Sequence, residues 1–505
     1  DGTFAAFEKH LDRLEQLGAG ILWFMPIHPI GVENRLGTLG SYYSVRDYLD
    51  VNPEFGTLDD FKRVVQEAHD RGMYVIMDWV ANHTAWDNPL TVQHPEWYVT
   101  DGGGNFIPPP GTNWSDVIEL DYTEPGLRNY MIDAMKFWVE EVGVDGFRCD
   151  AVSFVPKDFW QQAIAELKSV RSDLLFLAEG DGPEWHDVGF DMTHGWGLYG
   201  FGGGVLTRSA DGIDTASNFA VVVDGEQVTY SDGEYRMYFT ANHDENSWHG
   251  TTSELFGNAA EVFAVLTATF NGMPLIYSGQ EAGLDKRLRF FDKDLIVWQS
   301  HENEELYTAL LRLKRNNEAL WNGSSGASAE RILTTDNGNV YAFLRQRAED
   351  RLVVVANLSD QTRDVGLVGT RFEGSYRNVF ADTSALLSAA TTLRLPPWGY
   401  GVFEDSSVNT SLDDFDSRSA TILYPNYPNP FSDHTIVLFS LSEPSVARLE
   451  IFDLTGRLVR SIDAGMRSAG RQEIILRSGN LPGGVYFLRL QSGDAPHTRR
   501  IVLIP

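Results

Sequence analysis

The sequence predicts an α/β fold in its N-terminal part and all-β modules after it. Apolar residues recur at helical spacing from Phe4 to Leu17, and the apolar run at 20–26 that follows is typical of a strand buried on both faces. This alternation continues to residue 320, and its seven units approach the eight of a (β/α)8 TIM barrel. We therefore expect residues 1–321 to form such a barrel, with its first strand preceding Asp1.

The later units of the barrel follow in chain order. Each helix carries apolar residues three and four positions apart, and each strand is a short apolar run. Long irregular stretches interrupt the pattern at 84–125 and 193–234, and the first is expected to be a functional excursion beside an active site. Helices are predicted at 58–70, 126–142, 156–170, 253–271 and 302–320, and strands at 73–78, 145–150, 174–179, 188–192, 236–241 and 274–278.

The pattern of apolar residues changes in the C-terminal part of the chain. Short alternating runs predict a β-sandwich at 322–403. Residues 404–419 are acidic and poor in apolar side chains, which is typical of a solvated linker. A third module, also all-β, is predicted at 420–505.

Composition excludes several kinds of partner. A formal net charge of −31 repels nucleic acid and anionic membranes, so a neutral ligand is the easier partner. No run of 18 apolar residues predicts a transmembrane segment. Cys149 is the single cysteine, so the chain forms no internal disulfide.

Four predicted barrel strands end in polar side chains. Because the C-terminal strand ends of such barrels build the active site, we expect these residues to lie together. A lone arginine and aspartate two residues apart is more often a structural ion pair, but four polar ends at one rim are harder to explain by packing. They are Asp78 with Asn82 and His83, Arg148 with Asp150, Glu179, and His243 with Asp244.

These residue types suit the hydrolysis of glycosidic bonds, which needs one ionised carboxylate and one protonated carboxyl group. Arg148 and Asp150 share a strand face, so we expect the guanidinium to lower the pKa of Asp150 and keep it ionised. Glu179 follows an apolar run at 174–178, where desolvation would raise its pKa and suit it to general acid and base catalysis.

Six sequence motifs together resemble the α-amylase family, family 13 of the glycoside hydrolases. They occur in the family's order and cover residues 1 to about 403. The resemblance implies that Asp150 is the nucleophile, that Glu179 is the general acid and base, and that Asp244 binds the sugar 2- and 3-hydroxyls. The motifs are GILWFMP at 20–26, DWVANH at 78–83, GFRCD at 146–150, LAE at 177–179, FTANHD at 239–244 and GMPLIYSGQE at 272–281.

The resemblance also implies how the substrate is held. His83 and His243 would donate hydrogen bonds to the sugar at the cleavage site, and Arg148 would keep the nucleophile ionised. Tyr43 would stack beneath that sugar. It is preferred over the adjacent Tyr42 because it lies four residues before Asp47.

Calcium binding is an expectation from the same resemblance. Asn82 matches a calcium-binding asparagine of the family, and Glu119 approximately matches a second ligand, although Asn82 can equally cap its loop. Many family members carry Lys-His shortly after the nucleophile, whereas this chain has Ser153 and Phe154. The family's contacts to the leaving group and one of its calcium ligands therefore have no match at these positions.

The last module resembles the C-terminal sorting domain of type IX secretion substrates. The resemblance rests on YPNYPNPF at 424–431, LEIFDLTGRLVR at 449–460 and GVYFLRL at 484–490. It implies a secreted or cell-surface protein that contacts the secretion machinery, with a signal peptide upstream of residue 1. The alternative is an accessory β-sandwich that binds carbohydrate or stabilises the enzyme.

The sequence therefore predicts an α-amylase that hydrolyses the α-1,4 bonds of starch-like glucans with retention of configuration. A neopullulanase- or cyclomaltodextrinase-like hydrolase, or a transglycosylase, is the alternative within the same chemistry. A non-catalytic glucan-binding surface protein is the alternative from another class. Since a barrel without its first strand exposes edge groups, we also expect residues 1–505 to be poorly stable on their own.

Overall fold

A computed structural model describes most of the chain. The described residues are 2–199, 203–381 and 383–405, followed by 422–423, 431, 434–441, 444–453, 456–468, 470–479, 481–492 and 497–503. The chain divides into two compact units, 1–405 and 406–505, which are treated separately below.

The first unit is built on a seven-stranded sheet with neighbouring strands parallel, in the order β1-β2-β5-β6-β7-β8-β9. This order, with helices between successive strands, confirms the predicted TIM barrel, of which these are seven strands. The strands are β1 Ile21–Phe24, β2 Tyr74–Trp79, β3 His83–Ala85, β4 Val117–Glu119, β5 Gly146–Cys149, β6 Leu175–Ala178, β7 Met192–His194, β8 Tyr235–Phe239 and β9 Met273–Leu275.

The helices of this unit form where the sequence supplies caps and an apolar face. Thr57 and Asp60 make a capping box that starts α3, and Phe61 and Val64 are buried on its inner face. The helices are α1 Phe4–Phe7, α2 Leu11–Leu17, α3 Leu58–His69, α4 Leu90–Gln93, α5 Pro125–Phe137, α6 Lys157–Val170, α7 Glu184–Val188, α8 Trp196–Tyr199, α9 Val205–Ala210, α10 Ala216–Thr229, α11 His243–Trp248, α12 Thr252–Phe256, α13 Ala260–Thr269 and α14 Glu302–Asn316.

One predicted strand lies elsewhere. The strand expected at 188–192 is wrong, because Glu184–Val188 forms helix α7, which ends at Gly189 with a φ of 120°. The chain enters the sheet only at Met192, where β7 begins. The short apolar run that suggested a strand is the end of this helix and the connection after it.

The two interruptions of the pattern contain structure of their own. In the first, β3 and β4 pair antiparallel and place His83 opposite Glu119. In the second, helices α8, α9 and α10 lead from β7 to β8. The first segment follows the C-terminal end of β2, and the second follows that of β7. His83, the first residue of β3, therefore lies at the barrel rim.

An antiparallel module completes the first unit. Its eight strands pair in the order β15-β14-β17-β12-β11-β10-β13-β16, and β10 changes partner midway, from β11 to β13. Glu404 and Asp405 belong to its last strand rather than to the linker predicted at 404–419, whose other residues lie outside the described ones. The strands are β10 Glu330–Thr334, β11 Val340–Arg347, β12 Asp350–Asn357, β13 Arg363–Val368, β14 Gly374–Asn378, β15 Thr383–Leu387, β16 Thr392–Leu395 and β17 Tyr400–Asp405.

The described residues of the second unit form β-strands and their connections, as predicted for the third module. Two sheets, ordered β18-β19-β22 and β21-β20-β23-β24, share one apolar core that includes Val437, Leu449 and Leu488. Its strands are β18 Ile422–Leu423, β19 His434–Leu441, β20 Ser445–Phe452, β21 Leu458–Arg467, β22 Gly470–Arg477, β23 Gly484–Gln491 and β24 His497–Leu503. No helix in the described part of the chain is long and apolar enough to cross a membrane.

Candidate active site

Arg148 lies at the centre of the polar cluster at the barrel rim. It belongs to β5, where it stands beside Asp78 of β2, and its side chain is 1% exposed. Its Nη1 contacts Asp78 Oδ1 at 2.8 Å and Asp150 Oδ1 at 2.9 Å, and its Nη2 contacts Glu179 Oε1 at 2.8 Å. One guanidinium therefore holds three carboxylates that come from the ends of three adjacent strands.

Glu179 is held from both sides. One oxygen faces Arg148, and the other accepts a hydrogen bond of 2.7 Å from the backbone N–H of Ala151. Ala151 directly follows Asp150 and has a φ of 42°, a left-handed conformation that non-glycine residues rarely adopt. The turn after β5 thus ties the backbone beside one carboxylate to the side chain of the other.

A second group of polar side chains adjoins this cluster. The Tyr43 hydroxyl donates to Asp78 Oδ2 at 3.0 Å and lies 2.7 Å from His243 Nε2. The rings of Tyr43 and His243 stack with centroids 5.7 Å apart. His243 Nε2 also lies 3.3 Å from Asp244 Oδ2. Tyr43 thus links Asp78 of β2 to His243 and Asp244 at the start of α11.

Burial governs the charges of the carboxyl groups. It raises the pKa of Asp78 to about 6, of Asp150 to about 7 and of Glu179 to about 8, with Arg148 as the main opposing influence in each case. Arg148 does lower the pKa of Asp150, but desolvation outweighs the guanidinium, so the expectation that this pKa would lie below its usual value is wrong. The negative charge of Asp150 raises the pKa of Glu179, so ionisation of Asp150 favours the protonated form of Glu179.

The two histidines are neutral. Burial lowers the pKa of His83 and of His243 to about 4. His83 Nδ1 lies 3.2 Å from the amide nitrogen of Asn82, and its ring meets the edge of Trp114 at 5.5 Å. Neutral imidazoles can donate one hydrogen bond and accept another, which suits the recognition of sugar hydroxyls.

The chain is similar to known proteins in sequence and in fold. Models of an α-amylase catalytic domain match residues 1–100 and 112–194, and a maltogenic amylase C-terminal domain matches 331–402. The crystal structure of a maltogenic α-amylase from Thermotoga neapolitana is 31% identical, with a TM-score of 0.72 over 79% of this chain and 94% of that one. The chain belongs to the α-amylase family. It is therefore a member of family 13 of the glycoside hydrolases, as the sequence motifs predicted.

Other members of the α-amylase family are similar to different extents. An α-amylase structure from Lactobacillus plantarum is 30% identical, with a TM-score of 0.69 over 80% of this chain and 94% of that one. A cyclomaltodextrinase from a Bacillus species is 26% identical over 70% of this chain, which spans 65% of that protein's length. Residues 426–504 match the model of a secretion system C-terminal sorting domain, as predicted.

The structure brings together seven of the nine residues singled out from the sequence. Asp150, Glu179, Asp244, Tyr43, His83, Arg148 and His243 lie at the barrel rim, on or directly after strands or in the loop that carries Tyr43. Asn82, which contacts His83, and Glu119, which pairs with His83 across β3 and β4, are the proposed calcium ligands, but they supply only two oxygen-bearing side chains. Calcium prefers six to eight oxygen ligands.

The described residues contain no group of three or more histidine, cysteine, aspartate or glutamate side chains arranged to hold a metal. Asn82 and Glu119 do not by themselves make a cation site. Calcium binding at these residues stays a prediction from the resemblance, and no step below uses a metal.

Sequence reasoning missed several residues around the site. The Trp23 indole N–H donates to Asp78 Oδ2 at 3.3 Å, and its ring lies 5.3 Å from the Arg148 guanidinium carbon. Trp248 and Phe290 form an aromatic wall beside Tyr43. Trp23 belongs to the recognised motif at 20–26. Because alternate residues of a strand point to the same face, its position along β1 could have identified it as a residue of the site. The contact between Trp248 and Phe290 joins distant parts of the chain and has no local signal.

Proposed function

We propose that the chain is a retaining glycoside hydrolase that cleaves α-1,4-glucosidic bonds of starch-like glucans, with Asp150 as nucleophile and Glu179 as general acid and base. The observation that carries this proposal is the pair of carboxyl groups on one guanidinium, in which the charge of Asp150 raises the pKa of Glu179. A retaining mechanism needs this asymmetry, because one group must be ionised while the other is protonated.

In the first step, ionised Asp150 attacks the anomeric carbon from the face opposite the leaving oxygen. Protonated Glu179 gives its proton to that oxygen as the glycosidic bond breaks, and a β-linked glycosyl-aspartate forms. Formation of the ester removes the charge of Asp150. Since that charge raises the pKa of Glu179, its loss favours the ionised form of Glu179 that the next step needs.

In the second step, ionised Glu179 takes a proton from water as the water oxygen attacks the anomeric carbon. The bond to Asp150 breaks, and the product leaves as the α-anomer. Asp244 and the neutral rings of His83 and His243 hold the sugar hydroxyls. Their contacts strengthen as the ring flattens toward the oxocarbenium-like transition state.

A cyclomaltodextrinase- or neopullulanase-like activity, or a transglycosylase, is the second candidate. Relatives named as neopullulanases and transferases support this candidate as strongly as relatives named as α-amylases support the first. A neopullulanase from Thermoactinomyces vulgaris is 27% identical, and a maltosyltransferase from Picrophilus torridus is 25% identical. The chain spans 62% and 60% of these proteins' lengths. A non-catalytic glucan-binding protein has no need of the complete carboxylate set.

Product analysis by NMR on soluble starch, pullulan and β-cyclodextrin tests these assignments. We expect α-anomeric oligosaccharides from starch and no product from the Asp150→Asn variant. If only pullulan or cyclodextrin is cleaved, the proposed substrate is wrong, but the proposed mechanism still holds. Binding of starch without cleavage would make the chain a glucan-binding protein, and β-anomeric products would exclude the retaining mechanism.

We also propose that the second unit directs export through a type IX secretion system to the cell surface or medium. The match of residues 426–504 to a sorting domain supports this proposal. With a signal peptide in front, the full chain should leave a bacterium that has this system, whereas a chain ending at Asp405 should stay in the periplasm. Equal export of both chains would contradict it.

A further inference from the structure

Three aromatic side chains form a cluster at the edge of the site that the mechanism above does not use. Trp248, at the end of α11, lies with its ring centroid 5.2 Å from that of Phe290 and 5.8 Å from that of Phe291. We call these three residues the Trp248 cluster. The side chain of Trp248 is unusual for its type, because the residue is 51% exposed.

The Trp248 cluster is continuous with the sugar-binding centre. The ring of Phe290 lies nearly parallel to that of Tyr43, with centroids 6.1 Å apart and an interplanar angle of 12°. Tyr43 in turn stacks on His243. Trp248 also stands one helical turn after Asp244, on the same side of α11. A continuous series of ring contacts therefore runs from the buried His243 and Tyr43 to the exposed indole of Trp248.

The cluster is also held rigidly. The Asn246 side chain accepts a hydrogen bond of 2.8 Å from the N–H of Leu288 and donates one of 3.1 Å to the carbonyl of Lys286, which fixes α11 to the segment that carries the phenylalanines. On the other side, the N–H groups of Leu39 and Gly40 donate to the carbonyl of Phe291 at 3.0 and 3.2 Å. A preorganised surface of this kind loses little entropy when it binds a ligand.

The position of the cluster indicates which end of a substrate it meets. Glu179 protonates the leaving oxygen, so the leaving group lies on its side of the site. That side is bordered by a shallow depression lined by residues 153–157 with Glu184 and Trp185. The Trp248 cluster instead adjoins Tyr43 and the helix of Asp244, which face the sugar that stays on the enzyme.

We propose that the Trp248 cluster is a binding subsite for the retained part of an α-glucan chain, in which the indole face of Trp248 packs against a glucosyl unit beyond the one at the cleavage site. Pyranose rings present apolar C–H faces that suit an exposed aromatic ring, and such a contact requires no hydroxyl partner. The subsite rests on the proposed function, and it makes the length of the retained chain a determinant of specificity.

Kinetics on two substrates with the same leaving group test this role. The rate is measured by the release of 4-nitrophenol. Its release from 4-nitrophenyl α-glucoside leaves one glucosyl unit on the enzyme, and its release from 4-nitrophenyl α-maltotrioside leaves three. Replacement Trp248→Ala should lower the ratio of kcat/KM for the maltotrioside to kcat/KM for the glucoside about tenfold, the size of a lost aromatic contact with its buried area. Trp248→Phe, which keeps an aromatic face, should restore most of the ratio. Trp321→Ala removes a tryptophan of similar exposure, 37%, from another loop and should leave the ratio unchanged.

Direct binding separates this proposal from the proposed function. Calorimetric titration of the Asp150→Asn protein with maltoheptaose should give a Kd about tenfold weaker when Trp248→Ala is added. An unchanged ratio, an unchanged Kd, or no binding of maltoheptaose to the Asp150→Asn protein would overturn the subsite. If starch, pullulan, β-cyclodextrin and both nitrophenyl substrates all stay intact, the proposed function fails, and the titration alone decides whether Trp248 binds glucan.

Discussion

Replacement of Arg148 by methionine should destabilise the protein in a pH-dependent way. The variant keeps a side chain of similar length but leaves Asp78, Asp150 and Glu179 buried without their shared cation. Removing one partner of a buried ion pair costs about 3–5 kcal/mol, and we expect a loss in free energy of unfolding of this size at pH 8, which lies above the wild-type pKa values of Asp78 and Asp150 and close to that of Glu179.

The sign of the pH dependence follows from the three pKa values. Each is raised on folding, to about 6, 7 and 8, so the folded state binds more protons than the unfolded state between about pH 4 and pH 8, and stability falls as the pH rises through this window. Arg148 limits the fall because it opposes the rise of each pKa. Without it the fall becomes steeper, so the variant should lose much less stability at pH 5 than at pH 8.

Urea unfolding followed by tryptophan fluorescence at pH 5 and pH 8 measures both losses. The control is Arg63→Met, which removes an arginine that pairs with Glu8 and Asp60 at the surface and should shift the midpoint little at either pH. An equal loss at the two pH values, or a loss below about 1 kcal/mol at pH 8, would refute the claim that Arg148 compensates buried charge.

Three further outcomes are expected. The kcat/KM on starch should follow a bell-shaped pH profile with limbs near 7 and 8, because Asp150 must be ionised and Glu179 protonated; Glu179→Gln should remove the alkaline limb. Gly146→Ala should abolish soluble folding or cost more than about 4 kcal/mol, since its Cβ would lie 1.9 Å from a carbonyl oxygen of β6 and its φ is 155°; a Tm within a few degrees of the wild type would contradict this. Arg236→Met should cost about 3 kcal/mol in urea unfolding by leaving the mostly buried carboxylate of Glu226 without its 3.1 Å partner, whereas Arg236→Lys should recover part of the loss.

Most of the barrel could be predicted because its signals are local. Helix α3 shows its cap and its apolar face within a dozen residues, and β2 and β5 are short apolar runs that end in polar side chains. The misplaced strand at 188–192 shows the limit of such signals. Over a few residues, an apolar run that ends a helix resembles a buried strand, and length alone does not separate them.

The candidate site could be predicted as a set of residues but not as an electrostatic environment. Strand ends in a parallel barrel meet at one rim, so Asp150, Glu179 and Asp244 could be expected together from their positions in the chain. The pKa of Asp150 depends instead on how completely the surrounding side chains exclude water, which no local pattern reports. The packing of Trp248 on Phe290 depends likewise on contact between the end of α11 and a segment more than 40 residues further along the chain.

The hydrogen bond from Ala151 to Glu179 has a consequence for how the protein tolerates mutation. Its donor is a backbone N–H, so any residue other than proline at position 151 still carries it. Substitutions at this position other than proline change how easily the turn adopts its left-handed conformation. Glycine would adopt that conformation at least as readily as alanine. The tether on the carboxyl group proposed to move the proton is thus protected from most single substitutions, while the side chains around it remain free to diverge toward new substrates.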